Sequence, residues 1–370
     1  MAERAGPVPT DRPGLGRTWV SAHKFRVDWG VDPSDDHVIR HPTGRTPPSC
    51  PIPPLLALPA PGPTARGTGG TGATGATGHR TVAVLGPGGV GGLLAALLAR
   101  AGHRVLCLAG EDTARALRTD GLRVRSGHCG DFTARVEADT ALREPVDLCL
   151  VTVKHTALEA ALDRLPAGVL GDAPLVPLLN GVDHLAALRR RYGAGPVVPA
   201  TVKVESTRTA PGVIEHGSPF VQIELAGAEE RLGPLAALFT DAGAEARVVP
   251  DEAGVMWAKL AFLAPVALLT TRYRATIGAV RTERRDELVA VLEEAAAVAR
   301  ACGASVDPAA VLERCDAFPA GNKSSMLRDA EAGRELELDA IGGALLRAAE
   351  ERGVPVPTAA RLVAELEASG

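Results

Sequence analysis

The chain has 370 residues, of which 46% are hydrophobic and 23% charged, and its formal net charge is −4. This length and this balance are typical of a soluble globular protein with more than one domain. The lack of a basic excess and an aromatic content of 3% argue against nucleic acid and against an anionic membrane surface as partners.

The cysteines and the N-terminus favour a cytoplasmic protein. None of the six cysteines forms a CxxC pair, so we expect reduced thiols that pack as small apolar side chains. They are Cys50, Cys107, Cys129, Cys149, Cys302 and Cys315. The first residues, MAERAGPVPTDR, lack the apolar core of a signal peptide. The apolar run Val255–Leu269 is short for a membrane span and is interrupted by Pro265.

Residues 1–78 differ in composition from the rest of the chain. They are proline-rich and end in a near-repeat of glycine, threonine and alanine, TARGTGGTGATGATG. Such a segment has too little apolar surface to offset the entropy lost on ordering it. We predict a disordered tail over 1–78.

Residues 79–250 alternate between apolar strand-like runs and short helical patterns. Strands are predicted at 81–86, 103–110, 121–127, 131–137, 145–154 and 173–182, and helices at 91–102, 111–120 and 158–169. Alternation of this kind is typical of βαβ units in a parallel sheet. The runs at 197–206, 212–217 and 220–227 predict an extended, partly antiparallel end to the domain.

From residue 251 the pattern becomes helical. Amphipathic helices are predicted over 284–303 and 335–353, each closed by a glycine, and a last one over 358–369. The fold class predicted is therefore α/β, a Rossmann-type doubly wound sheet at 79–250 followed by an all-helical C-terminal domain at 251–370.

The first strand runs into a GxGxxG sequence. Its residues are Gly86, Pro87, Gly88, Gly89, Val90 and Gly91. The motif follows a buried strand and opens a helix, which is the context in which such a turn binds a dinucleotide pyrophosphate. A glycine-rich turn without a ligand is the alternative.

The type of dinucleotide is open at this point. The second strand ends in Ala109-Gly110 and is followed by Glu111-Asp112, which favours the ribose hydroxyl of NAD. Arg115 and Arg118 follow and favour the 2′-phosphate of NADP.

Two polar residues end later strands of the predicted sheet. Lys154 follows LCLVTV, and Asn180-Gly181 follows PLVPLL. Open α/β sheets bind ligands at this edge, so both are candidate binding residues. The alternatives are an exposed loop lysine and a glycine turn with positive φ.

Lys259 is the only charged residue within Val255–Leu269. A buried ammonium is unfavourable unless it is paired or changes its protonation. Ser324, Ser325 and Glu337 lie further on, and each has a structural alternative as a helix cap or first-turn acid. Together with Lys259 they suggest a polar site facing a cofactor cleft.

Residues 80–370 resemble the 2-dehydropantoate 2-reductase (ketopantoate reductase) family. The resemblance rests on VAVLGPGGVG, on VK at 153–154 and LLNG at 178–181, on WAKLAF at 257–262, and on NKSSM and ELD at 322–326 and 337–339. It implies reduction of a 2-oxo acid in pantothenate and coenzyme A biosynthesis. It also moves the expected cofactor towards NADPH, with NADH left open.

The resemblance also implies roles for individual residues. Lys259 matches the catalytic lysine, which would hold the carbonyl oxygen and donate a proton, and Glu337 matches the active-site glutamate. Ser325 matches a substrate-contacting serine. Lys154 and Asn180 match residues beside the nicotinamide and the reacting carbonyl. Helical second domains in this class of dehydrogenase often form homodimers, although the chain shows no dimer signature.

The chain departs from the family pattern on the helix of Lys259. The family has asparagines four and eight residues after the lysine, where this chain has Leu263 and Ala267. Pro265 between them is expected to kink the helix. Substrates that stay open are therefore 2-dehydropantoate, a less polar 2-oxo acid, and an imine. A non-catalytic NADPH-binding regulator is the alternative from another class.

Overall fold

The computed structural model describes residues 78–369. The predicted tail at 1–78 and Cys50 therefore lie outside the described residues, apart from Gly78. Within the described range every strand precedes residue 250, and the regular structure from residue 252 onward is helical. The predicted fold class is thereby confirmed, whereas the domain limits 79–250 and 251–370 stay a prediction.

The described residues form three sheets from twelve strands. The strands are β1 (Thr81–Leu85), β2 (Arg104–Leu108), β3 (Leu122–Ser126), β4 (Phe132–Ala134), β5 (Glu137–Asp139), β6 (Leu148–Val151), β7 (Leu175–Pro177), β8 (Ala200–Lys203), β9 (Ser206–Ala210), β10 (Val213–His216), β11 (Gln222–Ala226) and β12 (Glu245–Val249). The main sheet is parallel throughout, in the order β5-β2-β1-β6-β7.

Helices flank the sheets and then form the C-terminal part. They are α1 (Gly89–Arg100), α2 (Glu111–Asp120), α3 (Leu158–Leu162), α4 (Ala167–Leu170), α5 (His184–Tyr192), α6 (Glu229–Asp241), α7 (Glu252–Tyr273), α8 (Ile277–Glu283), α9 (Arg285–Ala301), α10 (Pro308–Ala317), α11 (Ser325–Glu331), α12 (Ala344–Arg352) and α13 (Pro357–Glu367). A 3₁₀ turn at His155–Ala157 precedes α3, and a π-helical turn at Asp339–Gly343 leads into α12.

The central strand β1 is buried on both faces, which explains its uninterrupted apolar sequence. Val82 and Val84 pack into the cluster that contains α1, whereas Ala83 and Leu85 pack into the cluster on the opposite face. Because side chains alternate along a strand, one short sequence supplies both cores. The β1 strand thereby holds the glycine turn at the centre of the sheet edge.

Two smaller sheets confirm the predicted antiparallel end of this region. β9 pairs antiparallel with β10, and β8 pairs antiparallel with β11. Two predicted segments are wrong in their continuity. The run 131–137 contains β4 and then only the first residue of β5, which belongs to a different sheet, and the helix predicted over 158–169 is divided into α3 and α4. Pro166, which has no backbone N–H, stands at the N-cap of α4.

Helix α7 runs through the centre of the helical part. It is long and apolar enough to cross a membrane, but 67% of its most apolar stretch is buried inside the protein, as in the core helix of a soluble protein. The helix continues past Pro265 to Tyr273, so the proline does not end it. Its side chains pack against those of α9 and α13 in one cluster.

We predict that Gly91→Ala lowers the free energy of unfolding by about 1–3 kcal/mol. A Cβ at Gly91 would lie 2.1 Å from Thr152 Oγ1 and 2.5 Å from the Gly86 carbonyl oxygen, so the turn would have to shift. Thermal or urea denaturation measures the change. The matched control is Gly168→Ala, also in a helix, where no atom of the described residues outside its own turn lies within 4 Å of the new Cβ. The control should be neutral or slightly stabilising, and equal destabilisation by both changes would contradict the close-approach argument.

Candidate active site

The glycine turn has the backbone geometry that a dinucleotide cradle requires. Gly86 has a φ of +86°, and a Cβ there would lie 2.4 Å from Val153 Cγ1. At Gly88 the only neighbouring atom within 4 Å of a Cβ would be the Gly86 carbonyl oxygen at 3.9 Å. Gly88 is also the N-cap of α1 and provides no side-chain cap. The first amide groups of α1 are therefore suited to bind a pyrophosphate.

The charges after β2 do not settle the type of dinucleotide. Arg118 donates to the backbone carbonyl of Ala138 at 3.0 Å and to Glu111 at 2.9 Å. The side chain of Arg115 is 65% exposed and makes only long ion pairs, 3.4 Å to Asp112 and 3.9 Å to Glu111. Arg115 is thus the arginine with more freedom to turn towards a phosphate.

Lys259 lies on α7 and is half-buried, with its ammonium end surrounded by protein. The ammonium donates to the backbone carbonyl of Leu179 at 3.5 Å, next to Asn180. Burial lowers the pKa of Lys259 to about 8, Glu337 opposes this effect, and Lys203 adds to it. A lysine with a pKa near neutrality can both hold and release a proton at working pH.

Glu337 joins the helical part to two loops at the edge of the main sheet. The residue is buried, with 7% of its surface exposed. Asn180 Nδ2 donates to one carboxylate oxygen at 3.1 Å, and the backbone N–H of His155 donates to the other at 3.1 Å. The structure therefore brings Asn180, Glu337 and Lys259 together, while their roles stay a prediction.

The turn after Asn180 is held against the chain that follows Glu337. Gly181 has a φ of +82°, and a Cβ there would lie 2.2 Å from the carbonyl oxygen of Ala340. Ala340 belongs to the π-helical turn, a feature often found at functional sites. Asn180-Gly181 is therefore both a turn that requires glycine at position 181 and a neighbour of Glu337 in the candidate site.

Lys154 lies in a different arrangement. It follows β6 in the loop before the 3₁₀ turn, and its ammonium is 2.7 Å from Asp329 Oδ2 on α11. Asp329 is buried and also accepts from Arg334 at 2.8 Å. Lys154 thus links the sheet edge to α11, and a ligand contact would have to share it with Asp329.

The two serines of NKSSM have separate positions. Ser324 is buried, caps α11 by accepting from the N–H of Leu327, and is hydrogen-bonded to Thr270 at 2.7 Å. Ser325 is exposed at the first position of α11. The capping role therefore belongs to Ser324, while Ser325 is available to a ligand.

The positions that depart from the family pattern are apolar in the structure as well. Ala267 is fully buried, and Leu263 is half-buried against the helical core.

Lys203, at the end of β8, is 3.1 Å from Glu224, and burial lowers the pKa of Lys203. Lys203 is therefore a second cation near Lys259 with its own carboxylate partner.

Sequence reasoning missed three residues of this region. They are His155, whose amide binds Glu337, Asp329, which pairs with Lys154, and His184, a fully buried residue near Lys259. His155 directly follows Lys154, the polar residue after β6, and that position was the available signal for it. Nothing in the local pattern around Asp329 marked it, because its partner is 175 residues away.

The chain is similar to ketopantoate reductases along almost all of its described length. The profile described as ketopantoate reductase PanE/ApbA matches residues 82–227, and the profile for the C-terminal part of that family matches residues 252–369. A 2-dehydropantoate 2-reductase from Caulobacter vibrioides is 31% identical over 296 residues, covering 78% of this chain and 99% of the relative.

Solved structures show the same architecture. A 2-dehydropantoate 2-reductase from Geobacter metallireducens superposes with a TM-score of 0.71 at 29% identity, covering 78% of this chain and all of the other. A ternary structure of D-mandelate dehydrogenase with NADH and anilino(oxo)acetate gives a TM-score of 0.72 at 19% identity, over 78% and 97% of the two chains. At that identity the second likeness concerns the fold alone.

We predict that Lys259→Met raises the free energy of unfolding at pH 7 by roughly 1–3 kcal/mol, after discounting for partial exposure. The folded pKa of Lys259 is about 8, below its ordinary value of 10.5, so the charged lysine opposes folding. This penalty is complete below pH 8 and disappears as the pH rises towards 10.5. Urea denaturation at pH 7 and pH 10 measures the gain, which should shrink at the higher pH.

The control for this prediction is Lys323→Met. Lys323 forms a half-exposed ion pair with Glu331 at 2.6 Å, so its loss should change stability by less than about 1 kcal/mol. A Lys259→Met protein that is less stable than the wild type at pH 7 would contradict the desolvation argument.

Proposed function

This chain belongs to the ketopantoate reductase PanE/ApbA family, and from that premise we propose that it reduces a 2-oxo acid to a 2-hydroxy acid with NADPH. The leading substrate is 2-dehydropantoate, which would place the enzyme in pantothenate and coenzyme A biosynthesis. The observation that carries the proposal is the convergence of Lys259, Asn180 and Glu337 at the edge of the sheet that also holds the glycine turn.

The glycine turn and the start of α1 would hold the pyrophosphate of the cofactor. The residues concerned are Gly86, Pro87, Gly88, Gly89, Val90 and Gly91. The cradle is shaped by close approach, since a Cβ at Gly89 would lie 2.2 Å from the Ser206 carbonyl oxygen. When bound, the nicotinamide cofactor supplies the hydride. We propose NADPH because the exposed Arg115 suits a 2′-phosphate, with NADH as the alternative that a direct comparison decides.

Lys259 would hold the substrate carbonyl oxygen and donate a proton as the alkoxide forms. Its pKa of about 8 supports this role, because the group is charged at neutral pH yet releases its proton readily. Glu337 keeps the ammonium charged in a buried place and orients the amide of Asn180. Asn180, Ser325 and Lys154 would bind the carboxylate or other polar groups of the acid.

A less polar 2-oxo acid is the second candidate substrate. Leu263 and Ala267 remove two side-chain amides from the helix of Lys259, and both side chains pack with apolar neighbours. A site without partners for the 4-hydroxyl of 2-dehydropantoate discriminates weakly in favour of that group.

We propose a cytoplasmic enzyme with a small-molecule substrate, in agreement with its composition. We also propose a homodimer, which light scattering would test.

We predict that the purified protein oxidises NADPH in the presence of 2-dehydropantoate, measured by nicotinamide absorbance. Lys259→Ala should lower kcat/KM by roughly 10²–10⁴-fold. Because the protonated lysine is the active form, kcat/KM for reduction should fall as the pH rises through about 8. The same assay with NADH decides the cofactor.

Two results of this assay would count against the proposal. Cofactor binding without turnover of any 2-oxo acid would favour the alternative function, a non-catalytic NADPH-binding regulator. An unchanged rate in Lys259→Ala would remove the general-acid role. Lys323→Ala, at an exposed ion pair outside the site, is the matched lysine control and should retain full activity.

We predict that Leu263→Asn shifts the preference towards the hydroxylated substrate. The matched pair is 2-dehydropantoate and its deoxy analogue, 3,3-dimethyl-2-oxobutanoate, which differ in one hydroxyl group. An added amide that meets the hydroxyl should raise the ratio of their kcat/KM values by about 10-fold or more. A ratio that does not change would show that position 263 does not face the substrate, and Leu263→Met serves as the apolar control.

A further inference from the structure

His184 has an unusual environment for a core residue. It is the first residue of α5 and has no solvent-exposed surface. Among the described residues neither of its ring nitrogens has a hydrogen-bond partner. A buried polar group without partners destabilises a fold, and an apolar side chain of similar size would avoid that penalty. Such a residue is therefore expected to have a use other than packing.

The surroundings of His184 point to the active site. It lies four residues after Asn180, and the next residue, Leu185, packs in the same cluster as Met256. Met256 is three residues before Lys259 on α7, so it lies about one helical turn away. The charges of Lys259 and of His155 both act on the His184 ring. His184 therefore lies on the α5 side of this packing and within electrostatic range of the Lys259 ammonium.

The imidazole of His155 is the second histidine ring of this region. His155 donates its backbone N–H to Glu337, and its own Nδ1 is buried without a partner in the described part of the chain. Lys259 from α7 and His155 from the 3₁₀ turn both act electrostatically on the His184 ring, and Glu337 accepts from the amide of His155. The neighbouring Asp183 is already held by Arg347 at 2.7 Å.

The protonation state of His184 follows from this environment. Burial lowers its pKa to about 3, and the charges of Lys259 and His155 add to the effect. The ring is therefore neutral at working pH and has one nitrogen that accepts a hydrogen bond. An ammonium group has only donors, so the accepting nitrogen is the chemically matched partner.

We propose that His184 is a positioning residue for Lys259, which accepts a hydrogen bond from its ammonium while that group faces the substrate carbonyl. The proposal rests on the reductase function proposed above. Within residues 78–369 the hydrogen bond of the ammonium is a long one, 3.5 Å to the Leu179 carbonyl. A second acceptor on the α5 side would hold the proton donor in place without adding a charge, and would stabilise the charged lysine.

The test compares His184→Asn, which keeps an acceptor, with His184→Leu, which removes it. The pKa of Lys259 is measured by pH-dependent reaction with an amine-acylating reagent and mass spectrometry, which needs no turnover. We expect His184→Leu to lower this pKa by about one unit and kcat by roughly 10–100-fold. His184→Asn should restore most of both, and the high-pH limb of kcat should move with the labelling pKa.

Two controls separate the outcomes. His184→Met repeats the apolar change in case the leucine variant does not fold, and thermal denaturation should show that the apolar variants are at least as stable as the wild type. Identical labelling pKa values in wild type, Asn and apolar variants would overturn the proposal, as would an unchanged kcat. A wild-type protein without turnover would refute the proposed function, while the labelling experiment would still decide the His184–Lys259 contact.

Discussion

The buried carboxylate of Glu337 is the interaction on which the site depends. It lies where the helical part meets two loops of the main sheet, and it binds the side chain of Asn180 and the backbone of His155. Burial alone would favour a neutral Lys259, and the nearby carboxylate acts in the opposite direction. Glu337 therefore holds the two loops at the sheet edge in place and favours the charged form of Lys259.

The helical C-terminal part contacts the sheet region through apolar side chains and through ion pairs, and these two kinds of contact have different functions. The core contact is apolar, with Met256 of α7 packed among residues of the main sheet and α5. The outer contacts are ion pairs, Lys154 with Asp329 and Arg328 with Glu205, in which three of the four side chains are about 36–42% exposed. An exposed pair such as Arg328 with Glu205 contributes little stability, whereas Asp329 is buried and is also paired with Arg334. The apolar contact thus positions α7, while the ion pairs lie at the outside of the same junction.

Much of this architecture could be predicted from local sequence. The apolar run of β1 followed by GxGxxG, and the later strands that end in Lys154 and Asn180, placed the sheet edge and the candidate residues on it. The prediction was wrong where continuity depended on tertiary pairing. Residues 131–137 look like one strand, but Phe132–Ala134 pairs with β3, whereas Glu137 begins a new strand that pairs with β2 in a different sheet.

The remaining contacts are beyond local sequence because they join residues more than a hundred positions apart. Asp329 meets Lys154 across 175 positions, and Glu337 meets Asn180 across 157. The sequence marked Glu337 through its resemblance to a family, whereas Asp329 had no comparable signal. His184 was also unmarked, since a histidine after a glycine turn has no distinctive pattern until its burial is known.

Two residues of the candidate site, Lys259 and His184, lower the stability of this region. The ammonium of Lys259 is desolvated, and the imidazole of His184 is buried without a partner. Both would be replaced by apolar residues if packing alone decided the sequence, since Leu, Met and Ala surround them on α5 and α7. In the pairing proposed above, the two polar groups would be less unfavourable together than apart, because the neutral ring would supply an acceptor to the ammonium. The same pairing would make the penalty useful, since a lysine held by a neutral acceptor stays charged until the substrate oxygen takes its proton.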